Sequence, residues 1–451
     1  MAENQKPHLL VLPFPAEGHI NPLLNFAKRL IPKRFRITFI IAVDFTKKSA
    51  HDTQDSSSSE LFNIEYISNG SNEGEEPDSL AGHFRRLHAI MSRDLVKLTE
   101  KLNRSDFPPK VLVYDSTLTW ALDVAHQMGL LGASFFTQSC AVSTLYYHLQ
   151  EEKLSAIPDE EHSSVLIPPL PLLQIDELPS FTQVDDKDHT IVKLMVEQFS
   201  NVEKANWIFF NSFDKLEYEV ANWMARKWSI KTVGPTILKD NKHHGACLVE
   251  MKSDACLKWL DERDCSSVVY VSLGSVAVLG EEQMEELARG IAKSDHHFLW
   301  MVRDSEECKL PANFESEISE KGLIVNWCPQ LEVLAHQALS CFMTHCGWNS
   351  MLEALISGVP MIAMPQIVDQ FTNAKFVADV WQTGVRVKAN DKGIVTREEI
   401  SMSIKAVTEG DSAKEFRRNA EKWKELAQEA VRQGGSSHNN IDEFVSQVLS
   451  V

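Results

Sequence analysis

The sequence predicts an α/β protein made of two facing Rossmann-like domains with a cleft between them. Three observations carry that reading. Apolar runs of strand length recur along the chain and alternate with stretches of helical periodicity, the pattern of parallel sheets covered on both faces. At 451 residues the chain exceeds one ordinary core. An aperiodic polar stretch from Ile237 to Asp254 divides the alternation in two. The expected organisation is therefore a first domain over 1–236, a linker over 237–254, a second domain over 255–433 and a closing helical segment over 434–451.

The first strand is His8–Leu12, apolar throughout, and the loop after it carries Gly18 and His19, with Pro22 placed to open a helix over Leu23 to Leu30. Strands follow at Arg36–Ala42 and Phe62–Ile67, separated by a serine-rich loop from His51 to Glu60. Phe84, Leu87, Met91, Leu95, Leu98 and Leu102 recur at spacings of three and four, the stripe of a helix lying on a sheet. Val111–Asp115 and Ala133–Phe136 are strands that end in Asp115 and Thr137, so His19, Asp115 and Thr137 all stand at carboxyl ends, where open α/β sheets bind ligands. The Pro-rich stretch Ile167–Pro179 reads as loops above the crevice. Asn206–Asn211 and Lys231–Pro235 complete this half.

The second half repeats the alternation. Ser267–Ser272 is a strand leading to Ser275, and Glu281–Lys293 a helix with Met284, Leu287, Ala288 and Ile291 inward. Further strands are Phe298–Val302, Gly322–Val325, Cys341–Met343 and Pro360–Ala363, and Asn439–Val448 is helical.

Composition narrows the function. Asp plus Glu number 63 against 45 Lys plus Arg, and a formal charge of −18 argues against nucleic acid or an anionic membrane as partner. The eight cysteines form no CxxC pair and no zinc spacing, which fits buried thiols in a reducing compartment. The amino terminus lacks the features of a signal peptide, and no apolar run reaches about 18 residues, so a cytoplasmic protein without a membrane span is expected. No GxGxxG and no GxxxxGK[ST] occurs, which removes the main support for a nicotinamide dehydrogenase or a P-loop enzyme.

The chemistry concentrates between Trp327 and Gln370. Ser340–Thr344 is a strand, His345-Cys-Gly-Trp-Asn-Ser350 a turn, and Met351–Ile356 a helix. Gly347 supplies a turn residue without a side chain, Asn349 and Ser350 are natural helix caps, and the free N–H groups of such a helix end bind phosphate. Trp327 can stack on a base and Glu353 can accept hydrogen bonds from ribose hydroxyls. Asp369 and Gln370 follow the strand Val359–Met364, and their acceptors and donors suit sugar hydroxyls. These residue types amount to a site for phosphate plus a polyol.

The stretch resembles the signature box of plant family-1 UDP-sugar glycosyltransferases: WxPQ over Trp327, Cys328 and Gln330, HCGWNS over His345 to Ser350, Glu353, GVP over Gly358 to Pro360, and DQ at Asp369 and Gln370, at the family's spacing. Near the amino terminus Phe14 to Pro22 resembles its PxxGHxxP segment, and YDST (114–117), FFTQSCAV (135–142) and NSFDKLE (211–217) extend the likeness over nearly the whole chain, towards the subgroup acting on carboxylic acids, thiohydroximates, triterpenoids and steroids. The resemblance implies a GT-B fold whose last helix crosses back to the first domain. It makes His19 the general base and Asp115 its orienting partner. It places the donor on Trp327 (uracil), Cys328, Gln330 and Glu353 (ribose), Ser275, His345, Gly347, Asn349 and Ser350 (diphosphate), Trp348, Asp369 and Gln370 (sugar), with Thr137 in the same set, and it makes Cys346 structural.

Ser340, Met351, Ile367 and Phe371 depart from the family's usual Gly, Thr, Trp and Pro, and Ile367 should enlarge the cleft beside the sugar pair. The expectation is an inverting, metal-independent glucosyltransferase without a bound cofactor, monomeric, that moves glucose from UDP-glucose as co-substrate onto a small hydrophobic acceptor. A steroid or triterpenoid alcohol is the first expectation for that acceptor and a phenol or carboxylic acid the second. A non-catalytic UDP-sugar-binding module is the remaining alternative.

Overall fold

A computed structural model describes residues 6–44, 61–70, 79–151, 164–182, 190–237 and 254–450. The serine-rich loop 51–60, almost all of the expected linker, His243, His244 and Cys247 lie outside the described residues.

The chain forms two units. In the first, seven parallel strands, β1 (His8–Leu12), β2 (Arg36–Val43), β3 (Phe62–Ser68), β4 (Pro109–Asp115), β5 (Leu131–Phe136), β8 (Trp207–Phe210) and β9 (Ile230–Thr232), stand in the order β3-β2-β1-β4-β5-β8-β9. β6 (Ser164–Val165) and β7 (Leu173–Gln174) form a separate antiparallel ladder. In the second unit six parallel strands, β10 (Val268–Ser272), β11 (His297–Met301), β12 (Gly322–Val325), β13 (Leu339–Thr344), β14 (Met361–Ala363) and β15 (Gly384–Arg386), run β12-β11-β10-β13-β14-β15. Each sheet reverses its order once: between β1 and β4 in the first unit, between β10 and β13 in the second. Those reversals are where a doubly wound sheet opens a crevice for ligand.

The strands are buried because they carry aliphatic and aromatic side chains on both faces; β1 is buried along its whole length. The helix Leu80–Asn103 turns Leu87, Met91, Leu95 and Leu98 onto one face of the first sheet. On the other face Leu23, Phe26 and Phe35 meet the last helix of the chain, Ser436–Leu449, through Ile441, Phe444, Val445 and Val448. Phe444 stacks on Phe35 and lies edge-on to Phe209. Burying each such side chain contributes about 1.5–3 kcal/mol, which makes apolar contact the main attachment of this helix. Lys33 to Asp442 at 2.5 Å and Lys231 to Glu443 at 2.7 Å, at the rim, add little.

Two local readings are corrected. The first helix spans Glu17–Leu30, so Gly18 and His19 lie in its first turn rather than in a loop, and Pro22 sits inside it. Pro22, the sixth residue of this helix, has no N–H and so removes one i→i−4 bond, that to the Gly18 carbonyl. The second correction is one of grouping: the described residues 164–182 belong with the second unit, not with the rest of 1–236. Hydrogen bonds explain it, since Ser180 pairs with Val368, the Thr372 hydroxyl donates to the Glu177 carbonyl at 2.7 Å, and Arg386 donates to the Asp176 carbonyl at 2.9 Å. His297 lies in β11 with its Nδ1 3.3 Å from the Lys321 carbonyl, and burial lowers the pKa of His296.

Candidate active site

In the first unit the sheet reversal sets His19, just past β1, beside Asp115, the last residue of the adjacent β4. His19 Nδ1 lies 2.7 Å from Asp115 Oδ2. The carboxylate is wholly buried while the imidazole side chain keeps 26% exposure, so the charge is shielded and the ring is reachable. Asp115 Oδ1 accepts from the Thr117 N–H at 3.0 Å and the Thr117 hydroxyl at 2.6 Å. An ionised carboxylate only accepts, so Nδ1 must donate and the lone pair resides on Nε2. Thr137 Oγ1 stands 3.1 Å from the same Nδ1, which places Thr137 at the imidazole, in the first unit, while the other expected donor-binding residues are in the second. Phe14 packs on the ring at 5.2 Å between centroids. The arrangement is that of an oriented base.

In the second unit the equivalent reversal lies between β10 and β13. The helix after β13 is Trp348–Ser357, with Gly347 as its N-cap and no side chain capping it. Asn349 and Ser350 therefore stand within the first turn rather than at the cap, because the helix begins earlier than expected; a helix N-terminus at this place carries the dipole that favours an anion. Cys346, between His345 and Gly347, takes a left-handed backbone with φ 65°. That conformation costs a non-glycine residue about 1–2 kcal/mol, and two bonds hold it: its N–H donates to Thr344 Oγ1 at 3.2 Å and its carbonyl accepts from Asn373 Nδ2 at 3.1 Å. The thiol is fully buried and its pKa is pushed up by burial, consistent with a structural role.

The His345 ring is held in a glycine slot. A Cβ at Gly274 would come within 2.5 Å of Nε2 and one at Gly347 within 2.4 Å, and Gly274 also needs its φ of 76°. Burial lowers the His345 pKa to about 4, with the Ser272 backbone opposing in part, so the ring is neutral near pH 7 and offers an N–H rather than a cation. Ser275 is exposed just past β10, its loop pinned by Arg303, which donates to the Ser275 carbonyl at 2.7 Å and to the Ala277 carbonyl.

Trp327 is half-buried and has no ring partner among the described residues, leaving a face for a base. Gln330, expected to meet the ribose, is instead spent on orienting its neighbours: its Nε2 donates to Ser350 Oγ at 3.0 Å and Glu353 Oε2 at 2.7 Å, and its Oε1 accepts from the Tyr270 hydroxyl at 3.0 Å. Both amide hydrogens are thereby used. Tyr270 also reaches Cys328 Sγ at 3.2 Å, so Cys328 is a buried wall of the network. Glu353 keeps some surface, yet its desolvating surroundings push its carboxyl up to about 7, the Gln330 bond opposing.

Trp348 is 5% exposed and packs against Trp381. Gln370 was expected to donate and accept towards sugar hydroxyls; its Oε1 is already taken by the N–H groups of Gln366 at 2.9 Å and Ile367 at 3.0 Å, which fixes the amide's orientation and leaves only Nε2 as a donor. Asp369 Oδ2 accepts from Asn373 Nδ2 at 2.9 Å. Tyr270, Asn373, Thr117 and Ser180 are thus site-building residues that the sequence did not single out.

Residues 223–423 match the family model described as UDP-glucoronosyl and UDP-glucosyl transferase. UDP glycosyltransferase 9 of Catharanthus roseus is 47% identical, with 98% of this chain and 97% of that protein covered. Mogroside I-E synthase of Siraitia grosvenorii is 45% identical, covering 98% of each. Os79 of O. sativa, solved in complex with UDP and also with trichothecene, is 35% identical with TM-scores of 0.87 and 0.86, covering 98% of this chain and 100% of that one. A fold of two parallel-sheet units with these relatives is the GT-B class, and the enzyme is a nucleotide-sugar-dependent transferase. The chain belongs to the plant family-1 UDP-glycosyltransferases.

Proposed function

We propose that the protein is an inverting O-glucosyltransferase that uses UDP-glucose and a small hydrophobic acceptor, first a steroid or triterpenoid alcohol. The observation that carries the mechanism is the His19–Asp115 pair at 2.7 Å with Asp115 buried. As the acceptor oxygen attacks the anomeric carbon from the face opposite UDP, its proton passes to His19 Nε2, and Asp115 stabilises the imidazolium. The bond from the anomeric carbon to the diphosphate oxygen breaks in the same displacement, and the electron pair leaves on UDP. The N-terminus of helix Trp348–Ser357, Ser275 and the His345 N–H supply donors for that charge, which is why we propose a metal-independent reaction. EDTA should leave turnover unchanged; loss that Mg²⁺ restores would overturn this part.

For the acceptor, the support is the likeness to a mogroside synthase and to a protein crystallised with trichothecene. A phenol or carboxylic acid is the second reading, and base dependence separates the two. An alcohol must lose its proton to become a nucleophile, whereas a carboxylate is already ionised at neutral pH. His19→Ala should lose about 10²-fold to 10⁴-fold in turnover on alcohols and be mildly impaired on carboxylates. Full activity on alcohols would sink the base assignment. Products from a panel of aglycones, identified by mass, decide the acceptor class. We further propose a monomeric cytoplasmic enzyme; a single sedimenting species near 50.9 kDa would support the first part.

A further inference from the structure

We propose that Ser180 is a positioning residue for the transferred sugar, acting through the loop that carries Asp369 and Gln370; the inference rests on the donor reading above. Val368, directly before that pair, is β-branched and has a φ of 53°, a left-handed conformation that such a residue rarely adopts and that persists only where its surroundings enforce it. The enforcing contact is reciprocal. Ser180 Oγ accepts from the Val368 N–H at 2.7 Å, and the Ser180 N–H donates to the Val368 carbonyl at 3.0 Å.

Ser180 is itself held by a strap that precedes it. The Glu177 carboxylate, 8% exposed, meets Lys375 Nζ at 3.0 Å and the Gln174 N–H at 2.8 Å, and the Glu177 carbonyl accepts from Thr372. Arg386 holds Asp176 at both its carbonyl and its carboxylate. Lys375, Thr372 and Arg386 lie on the helix and strand just beyond the sugar pair, so the strap and the loop share one scaffold. The loop's other side is fixed from within, by the Gln366 and Ile367 N–H groups on Gln370 Oε1 and by Asn373 on Asp369. Its outer side depends on Ser180. Releasing Val368 would let its backbone relax to negative φ and swing the side chains of residues 369 and 370, which contact sugar and not nucleotide. The diphosphate turn at 345–350 shares Asn373 with this loop but does not bond Ser180 or Val368; the Cys346 N–H is held by Thr344 and the His345 ring by its glycine slot, so the turn should stay in place.

The test compares ligands with and without the sugar. Dissociation constants for UDP and for UDP-glucose are measured by calorimetry on wild type, Ser180→Ala and Ser180→Thr, together with the turnover ratio between UDP-glucose and UDP-galactose. Removing the acceptor of this part-buried N–H should weaken UDP-glucose by about tenfold, leave UDP within about twofold and lower the glucose preference, and Ser180→Thr should restore all three. Equal weakening of both ligands, or none, would overturn the inference. Should Ser180→Ala fail to fold, Thr372→Val loosens the same strap and must show the same sugar-selective loss, or the inference falls. A wild type that binds UDP but not UDP-glucose would instead refute the glucose-donor reading.

Discussion

Asp115→Asn should abolish base function without emptying the site. Oδ1 of Asp115 receives two donors, the Thr117 N–H and the Thr117 hydroxyl, and a backbone N–H can only donate. In the variant the amide oxygen must therefore take that side, which turns the amide NH₂ towards His19 Nδ1, where Oδ2 stood at 2.7 Å. Nδ1 becomes an acceptor, the ring proton moves to Nε2, and the nitrogen that should receive the acceptor's proton is already protonated. Losing general-base catalysis costs about 10²-fold to 10⁴-fold, or about 3–5 kcal/mol at 1.36 kcal/mol per factor of ten. The assay is UDP release from UDP-glucose with an alcohol acceptor, alongside calorimetric UDP binding, which should be unchanged. An Asp115→Asn enzyme within about fivefold of wild type would refute the tautomer argument.

Four other outcomes are expected. Glu353 has a folded pKa of about 7, raised from an ordinary 4.5, so the folded state holds its proton more tightly and the wild type loses stability as pH rises from about 4.5 through 7. Glu353→Gln removes that loss: its Tm relative to wild type should climb between pH 5 and pH 8, and a flat difference would count against it. Gly347→Ala places a Cβ 2.4 Å from His345 Nε2 and should weaken UDP binding, measured by calorimetry, with little change in Tm if the ring alone yields. Phe444→Ala should cost about 3–5 kcal/mol in urea unfolding by stripping the last helix from its aromatic contacts. Gln370→His should lower UDP-glucose use relative to UDP-galactose and also release the Gln366 and Ile367 N–H groups; an unchanged donor ratio would refute its role in sugar choice.

The strands were legible almost to the residue because each is a short apolar run between turn residues, and the helix Glu281–Lys293 because its stripe is regular. His19 and Asp115 were legible as strand-end residues; their adjacency needed the pairing of β1 with β4, which no local pattern encodes. Gly384–Arg386 was missed as an edge strand of three residues. The hydrogen bonds that Gln330 and Gln370 make within the protein were not legible, for a common reason. Sequence shows which donors and acceptors a side chain owns, but not which of them neighbouring groups have already taken, and Tyr270, Ser350 and the 366–367 backbone take most of what those two amides offer. Ser180 was invisible for a related reason: its partner lies 188 residues away in the chain.

The two histidines show how the two strands that flank a sheet reversal can serve opposite tasks. Each lies just past a strand that borders its sheet's reversal, so both are delivered to a ligand crevice by the same rule. Behind His19 stands a buried carboxylate, which fixes the Nδ1 proton and, in the proposed mechanism, would compensate the positive ring formed if Nε2 took a second one. His345 has two glycines beside its Nε2, and burial drives its pKa to about 4, so accepting a proton there is unfavourable across the working range. A ring so placed is suited to donate a neutral N–H to an anion and unsuited to act as a base. A buried carboxylate beside one ring and desolvating surroundings around the other would therefore separate proton acceptance from anion binding, without any difference in residue type.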